Sequence, residues 1–137
     1  MKLLIEIPSW IGDCVMLTPA FENLISRYSN PKVTVIGSKA SIEILKNHPK
    51  VVQSCILRRK YSLLIKQARS LEEFDIFISF RSSLRSSLLK QLVSAKHKYQ
   101  FNKKKYKNRH VVEKYNDFLN EIFEARKNPG SLNIYSS

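Results

Sequence analysis

Short apolar runs alternate along the chain with segments in which apolar residues recur every three or four positions. The runs rich in β-branched and aromatic residues predict strands at 2–7, 32–36, 51–57, 74–80 and 98–101. The helical spacing predicts helices at 13–27, 41–46, 60–72, 82–92 and 110–123. Because strand alternates with helix throughout, the pattern predicts an α/β fold with a parallel sheet and helices on both faces.

One proline falls inside the first helical segment. Pro19 has no backbone N–H and its ring crowds the preceding turn of a helix. We therefore predict either a kink at this position or a new helix that starts there after a short first turn.

Length and composition predict one globular domain. The length of 137 residues is that of a single domain. The hydrophobic content of 43% excludes a disordered basic tail. Cys14 and Cys55 form no disulfide framework, so they are predicted to be small core residues in a reducing cytoplasm. No apolar run approaches the roughly 20 residues of a membrane helix, and the N-terminus lacks the features of a signal peptide. The expected protein is soluble and cytosolic.

The excess of positive charge lies in one part of the chain. The net charge is +13, and residues 50–109 carry 16 Lys and Arg but only three acids, while the rest of the chain is neutral overall. Such a surface indicates a phosphate-bearing partner, which could be nucleic acid, anionic lipid or a phosphorylated substrate. Within it, residues 96–109 combine seven bases with Tyr99, Phe101 and Tyr106, which fits either a solvated loop or a nucleic-acid surface.

In a parallel sheet, ligands bind beyond the carboxyl ends of the strands. This rule selects residues 8–13, 37–40 and 81–85. The first segment, within PSWIGDCVMLTP, has one glycine, so it is neither a dinucleotide fingerprint nor a phosphate-binding P-loop. Asp13 is its candidate functional residue, either as a cap of the following helix or as a general base facing the ligand.

The run IPSWIGDCVMLTPAFENL resembles the opening of the ADP-heptose:lipopolysaccharide heptosyltransferases, especially the heptosyltransferase II branch (GT-B glycosyltransferases, family 9). The stretches VTVIGSKASIEILKNHPKV and FDIFISFRSSLRSSLLKQLVSAKHKYQF resemble later parts of the same family in the same order. His110 with Tyr115 resembles a His and Tyr pair on one of its helices.

The resemblance implies a Rossmann-like acceptor-binding domain, the N-terminal half of a two-domain enzyme. That enzyme would transfer heptose from ADP-heptose to the lipopolysaccharide inner core with inversion and without an essential metal or other cofactor. Asp13 would be the catalytic base, with Ser9, Trp10 and Gly12 beside it in the acceptor site. The family's chain is more than twice as long, so we expect residues 1–137 to form one domain, to lack the C-terminal donor domain and to be inactive alone.

Basic and serine residues complete the expected acceptor site. Arg58 and Arg59, with Lys60 as a supporting charge, fall where the family has a basic group, although they could equally be a solvated helix start. Arg81, Ser82 and Ser83 follow a strand and open a helix, which favours an anion site over simple capping, so all three belong to the expected acceptor site. Arg85 is expected to face solvent. His110 is expected to be either an acceptor contact or a structural polar group.

The expected partner is an anionic glycolipid, Kdo-lipid A or the heptosyl inner core. The protein is expected to bind it as a peripheral protein at the inner face of the inner membrane. No Cys, His and carboxylate set has the spacing of a metal site. The alternative is a small basic nucleic-acid-binding domain that uses residues 96–109.

Overall fold

The computed structural model describes residues 1–102 and 111–126, with side chains up to Glu124. The described strands are β1 (Lys2–Glu6), β2 (Lys32–Gly37), β3 (Val51–Ile56), β4 (Phe74–Ser79) and β5 (Ala95–Gln100). The described helices are α1 (Ile11–Ser26), α2 (Lys39–Leu45), α3 (Tyr61–Ser70), α4 (Leu84–Leu92) and α5 (Val111–Arg126).

The five strands form one parallel sheet in the order β3-β2-β1-β4-β5. The predicted α/β, Rossmann-like fold is confirmed. The chain leaves β1 outwards through β2 and β3 and then returns to the other side of β1 with β4. The carboxyl ends of β1 and β4 are therefore neighbours, and Glu6 pairs with Ser79 at that edge.

Alternate residues of the central strands supply two hydrophobic clusters, one on each face of the sheet. In β1, Leu3 and Ile5 belong to the cluster that includes α1 and α5, while Leu4 belongs to the cluster that includes α3 and α4. This alternation follows from the two-residue period of a strand. Helices cover both faces, and their apolar sides bury nearly all residues of β1, β2 and β4.

Helix α1 continues through its proline. Pro19 lies inside the helix, so the expectation of a new helix starting at this point is wrong. Val15 O would normally accept the N–H of residue 19, which proline lacks. The Thr18 hydroxyl donates to that oxygen at 2.7 Å instead. A side chain one residue earlier thus satisfies the carbonyl that the proline leaves without its usual donor.

Two predicted boundaries shift for identifiable reasons. Strand β5 begins at Ala95 rather than residue 98, because it is an edge strand whose first positions are polar and carry no apolar signal. Helix α4 begins at Leu84 rather than residue 82, because the Ser83 hydroxyl accepts the Ser86 N–H and makes Ser83 the N-cap.

A surface carboxylate ties the start of β1 to β4. The Lys2 backbone N–H donates to Asp75 Oδ2 at 2.8 Å, and Lys96 Nζ lies 3.7 Å from Oδ1. The Lys2 hydrogen bond is the main cause that holds the pKa of Asp75 below its usual value, and the Lys96 charge adds to it.

We expect the Asp75→Asn variant to lose less than about 1 kcal/mol of stability at neutral pH, since this carboxylate is partly exposed. A lowered folded pKa stabilises the protein above the unfolded value of 3.8, and this contribution is lost as the pH falls through the folded value. Urea unfolding of both proteins should show a difference in unfolding free energy at pH 7 that disappears at about pH 2. A difference that persists in acid would contradict the role of the ionised carboxylate.

Candidate functional site

Two cavities open at the carboxyl edge of the sheet. The first, which we name the Asp13 cavity, has a volume of about 430 Å³. Its lining residues come from the ends of β1, β4 and β5 and from the starts of α1 and α5: Pro8, Ser9, Trp10, Asp13, Phe80, Arg81, Ser82, Ser83, Phe101, Val111, Lys114 and Tyr115. The position agrees with the rule that ligands bind parallel sheets beyond the strand ends.

Asp13 lies in the first turn of α1 and is half-buried. The N-cap is Trp10, which makes no side-chain capping bond, so the expectation that Asp13 caps the helix is wrong. Asp13 is instead the third helical residue, where its charge complements the positive end of the helix dipole. Its carboxylate is thus available to the cavity rather than used in a cap.

Aromatic rings form the apolar wall of the Asp13 cavity. The ring of Tyr115 meets those of Phe80 and Phe101 edge to face, with centroids 5.4 and 5.3 Å apart. Burial raises the pKa of Tyr115, and the negative charge of Asp13 raises it further, so the phenol stays protonated beside the carboxylate. An aromatic wall with a carboxylate and a phenol suits a ligand that has both ring faces and hydroxyl groups.

The second cavity, which we name the arginine cavity, has a volume of about 530 Å³. Its lining residues are Ser9, Trp10, Ser38, Lys39, Ile56, Leu57, Arg58, Arg59, Arg81 and Arg85. Arg58 and Arg59 both line it, whereas Lys60 is the N-cap of α3 and is not among the lining residues. The Arg58 N–H donates to Gln67 Oε1 at 3.1 Å, which fixes the loop that carries both arginines.

Ser9, Trp10 and Arg81 line both cavities. The Ser9 carbonyl accepts the Ser38 hydroxyl at 2.9 Å, which ties the loop after β1 to the start of α2. Trp10 is 77% exposed, so it cannot shield Asp13 from water. Gly12 is not a lining residue, and a Cβ built on it would meet no atom within 4 Å.

The two serines after β4 have different positions. The Ser83 hydroxyl is engaged in the N-cap of α4 and lies 2.8 Å from the Ser86 hydroxyl. Ser82 is exposed at the rim of the Asp13 cavity. Of this pair, only Ser82 has a hydroxyl that no described hydrogen bond uses.

Several residues at this edge escaped the sequence prediction. Lys114 lines the Asp13 cavity one residue before Tyr115, and nothing in its local pattern distinguishes it from a solvated helix lysine. Glu6 is fully buried beneath Arg81, with its Oε2 atom 3.7 Å from an Arg81 guanidinium nitrogen. A charged residue inside an apolar run was the available signal for Glu6.

The expectation that Arg85 faces solvent is wrong. Its Nε atom is buried, and its guanidinium carbon lies 5.4 Å from the centre of the Tyr61 ring. The side chain lines the arginine cavity.

The remaining expectations concern His110, the basic stretch, metal binding and membrane spans. His110 and residues 103–109, which are half of the basic stretch 96–109, lie outside the described residues. Within 1–102 and 111–126, no three His, Cys, Asp or Glu side chains come together as a metal ion requires. None of the helices in those ranges is both long and apolar enough to cross a membrane.

Proteins with assigned activities are similar to this chain. Two lipooligosaccharide heptosyltransferase 2 proteins of Campylobacter jejuni subsp. jejuni, serotypes O:2 and O:6, are each 30% identical to it over 122 residues. The chain resembles heptosyltransferases. The matched part is 87% of this chain but 38% of each relative, so the chain spans about two fifths of their length. No protein-family model matches it.

Solved structures of a heptosyltransferase and of another glycosyl transferase share the fold of this heptosyltransferase-like chain. The Escherichia coli heptosyltransferase WaaC with ADP aligns at a TM-score of 0.71 and 17% identity, over 88% of this chain and 46% of that one. A family 9 glycosyl transferase from Veillonella parvula aligns at a TM-score of 0.66 and 16% identity, over 88% and 40%. The predicted resemblance is confirmed, and at these identities the structures support the fold.

Proposed function

We propose that residues 1–137 form the acceptor-binding domain of a heptosyltransferase of lipopolysaccharide core biosynthesis. The observation that carries this proposal is Asp13, which lines a cavity with an aromatic wall directly beside a second cavity rich in arginine. An acid beside an anion site suits an acceptor that offers a hydroxyl group and carries phosphates. The similarity to the Campylobacter heptosyltransferases supports the same reading.

In the proposed reaction, Asp13 is the catalytic base. It accepts the proton of an acceptor sugar hydroxyl while that oxygen attacks the anomeric carbon of ADP-heptose. The bond from the anomeric carbon to the diphosphate breaks as the new glycosidic bond forms, so the configuration inverts and ADP leaves. Ser9, Trp10 and Ser82 border the space in which the acceptor would lie.

The donor would be bound mainly by a second domain outside these 137 residues, and the chain alone would not transfer heptose. A radiolabelled assay that shows transfer by the isolated chain would contradict this part of the proposal. The proposed reaction uses no metal or other cofactor.

The arginine cavity would hold the phosphates or acidic sugars of the acceptor, Kdo-lipid A or the heptosyl inner core. Guanidinium groups bind such oxyanions through two parallel hydrogen bonds. Arg58 and Arg59 are exposed within this cavity, and Lys60 follows them at the start of α3. Trp10 and the 84%-exposed Leu84 add apolar surface nearby, which fits a peripheral, cytoplasmic position at an anionic membrane.

We expect the Arg58→Ala/Arg59→Ala variant to bind Kdo-lipid A in detergent micelles about tenfold more weakly than the unmodified chain. Trp10 is the single tryptophan and lines both cavities, so its fluorescence reports binding directly. The Lys66→Ala/Arg69→Ala variant is the matched control, because it removes two exposed positive charges from α3 outside both cavities. Equal weakening in both variants would indicate general charge attraction and would contradict a specific arginine site.

The nucleic-acid alternative depends on residues 96–109, half of which lie outside the described residues. It leaves the arrangement around Asp13 without a role, and the relatives reported above are heptosyltransferases. It is therefore not favoured. Salt-steep binding of arbitrary single-stranded DNA, unaffected by Asp13 or Arg58 substitutions, would restore it.

A further inference from the structure

A buried carboxylate lies directly behind the wall that the two cavities share. Glu6 is the last residue of β1, has no solvent exposure and lies between Ile36 of β2 and Ser79 of β4 in the sheet. An acid costs free energy in this environment unless it has partners. Glu6 lies at the carboxyl edge of the sheet, where the two cavities open, and therefore needs partners that compensate its burial.

Three side chains compensate this carboxylate. The Ser79 hydroxyl donates to Oε1 at 2.6 Å and the Ser86 hydroxyl donates to Oε2 at 3.0 Å. A guanidinium nitrogen of Arg81 lies 3.7 Å from Oε2. Burial raises the pKa of Glu6, while the two hydroxyl bonds and the charges of Arg81 and Arg85 oppose that rise.

The same contacts fix Arg81 at both its backbone and its side chain. The Arg81 N–H donates to the Ser79 hydroxyl at 3.2 Å, and its carbonyl accepts from the Gln100 side chain at 3.2 Å. Its guanidinium is drawn towards Glu6 and also borders both cavities. Arg81 is thus held in one place at the point where the two cavities meet.

Arg85 is the second cation of this group. It lines the arginine cavity, and its buried Nε has no hydrogen-bond partner within the described part of the chain. One carboxylate and two guanidinium groups leave one net positive charge at the cavity wall. The structure therefore combines an unused guanidinium donor with excess positive charge at a concave surface.

We propose that Glu6 is a positioning residue, which holds Arg81, and by its charge Arg85, in the orientation that binds a phosphate group of the ligand. The proposal rests on the proposed function only in taking the ligand to be phosphorylated. Glu6 does not contact the ligand itself, because it is completely buried.

The Glu6→Gln variant distinguishes two roles of Glu6. Orientation of the arginines and a simple charge effect predict opposite changes in phosphate binding. Glutamine can keep hydrogen bonds to Ser79 and Ser86 but has no charge to hold Arg81. If the negative charge of Glu6 merely weakened the positive field, its removal would strengthen phosphate binding. If Glu6 orients the arginines, its removal weakens phosphate binding, since the guanidinium groups must then be ordered by the ligand.

The test is a titration of the 137-residue chain with inorganic phosphate, followed by NMR of the arginine Nε–H signals. We expect the Nε–H signals of Arg81 and Arg85 to shift with phosphate in the unmodified chain. The dissociation constant should rise by about fivefold in Glu6→Gln. The Arg81→Ala substitution should cost less affinity in the Glu6→Gln background than alone, because the two residues act as a unit.

Glu73→Gln is the matched control, since it neutralises an exposed acid away from the cavities and should leave the affinity unchanged. If Glu6→Gln fails to fold, Ser86→Ala removes only one partner of the carboxylate and should weaken binding in the same direction but less. Unchanged or tighter binding in the folded variant, or no phosphate binding by the unmodified chain, overturns the proposal. Because no glycolipid is used, a failure of Kdo-lipid A binding with intact phosphate coupling would count against the proposed function alone.

Discussion

Replacing Asp13 with asparagine should reduce heptose transfer by a factor of about 10²–10⁴, because the acceptor hydroxyl then has no base to take its proton. The assay joins this chain to the donor-binding domain of a heptosyltransferase and follows transfer from ADP-heptose. Binding of Kdo-lipid A should stay within about twofold, since asparagine keeps the size and hydrogen-bonding oxygen of the side chain.

The folding cost of Asp13→Asn should be small. The carboxylate makes no capping bond, and its interaction with the helix dipole is worth about 0.3–1 kcal/mol. The Glu73→Gln variant, which neutralises an exposed acid before β4, is the control and should transfer heptose normally. Transfer within tenfold of the unmodified enzyme would show that Asp13 is not the base.

The Phe77→Ala variant should lose about 3–5 kcal/mol of unfolding free energy. Phe77 is fully buried in β4, pairs with Leu4 of β1 and belongs to the cluster on the α3 and α4 face. Truncation would leave a cavity between the sheet and these helices, which the rigid strands could fill only in part. A loss of this size is a large fraction of the about 5–15 kcal/mol by which such domains are stable.

Urea unfolding measures this loss as a lower midpoint with an unchanged slope. The Leu84→Ala variant is a suitable control, because Leu84 is 84% exposed and its truncation should change stability by less than about 0.5 kcal/mol. A Phe77→Ala variant as stable as the Leu84→Ala variant would contradict the packing of β4 described above.

The sheet was predictable because its central strands are recognisable from local sequence. Residues 2–7 and 74–80 are apolar runs too short for helices, and both were buried strands as expected. Strand β5 was only partly predictable, because it is an edge strand in which none of the positions is buried. Its position next to β4 depends on pairing, which periodicity does not encode.

The site was less predictable than the fold. Asp13 is recognisable as a candidate because it belongs to the Ser-Trp-x-Gly-Asp motif, whose residues are contiguous in the sequence. Glu6 has its partners 73 and 80 residues further along the chain, so local sequence presents it only as an interruption of an apolar run. Arg85 was misjudged for the same reason, since spacing along α4 does not reveal the neighbouring Tyr61 of α3.

The strand order has a consequence for synthesis on the ribosome. The central strand β1 emerges first, yet its second neighbour, β4, begins only at Phe74. Until that segment has left the ribosome, one edge of the wholly apolar Leu3, Leu4 and Ile5 stretch has no partner strand. An unpaired apolar edge is prone to join another chain. The nascent protein therefore passes through an interval in which this edge of β1 is open to pairing with another chain.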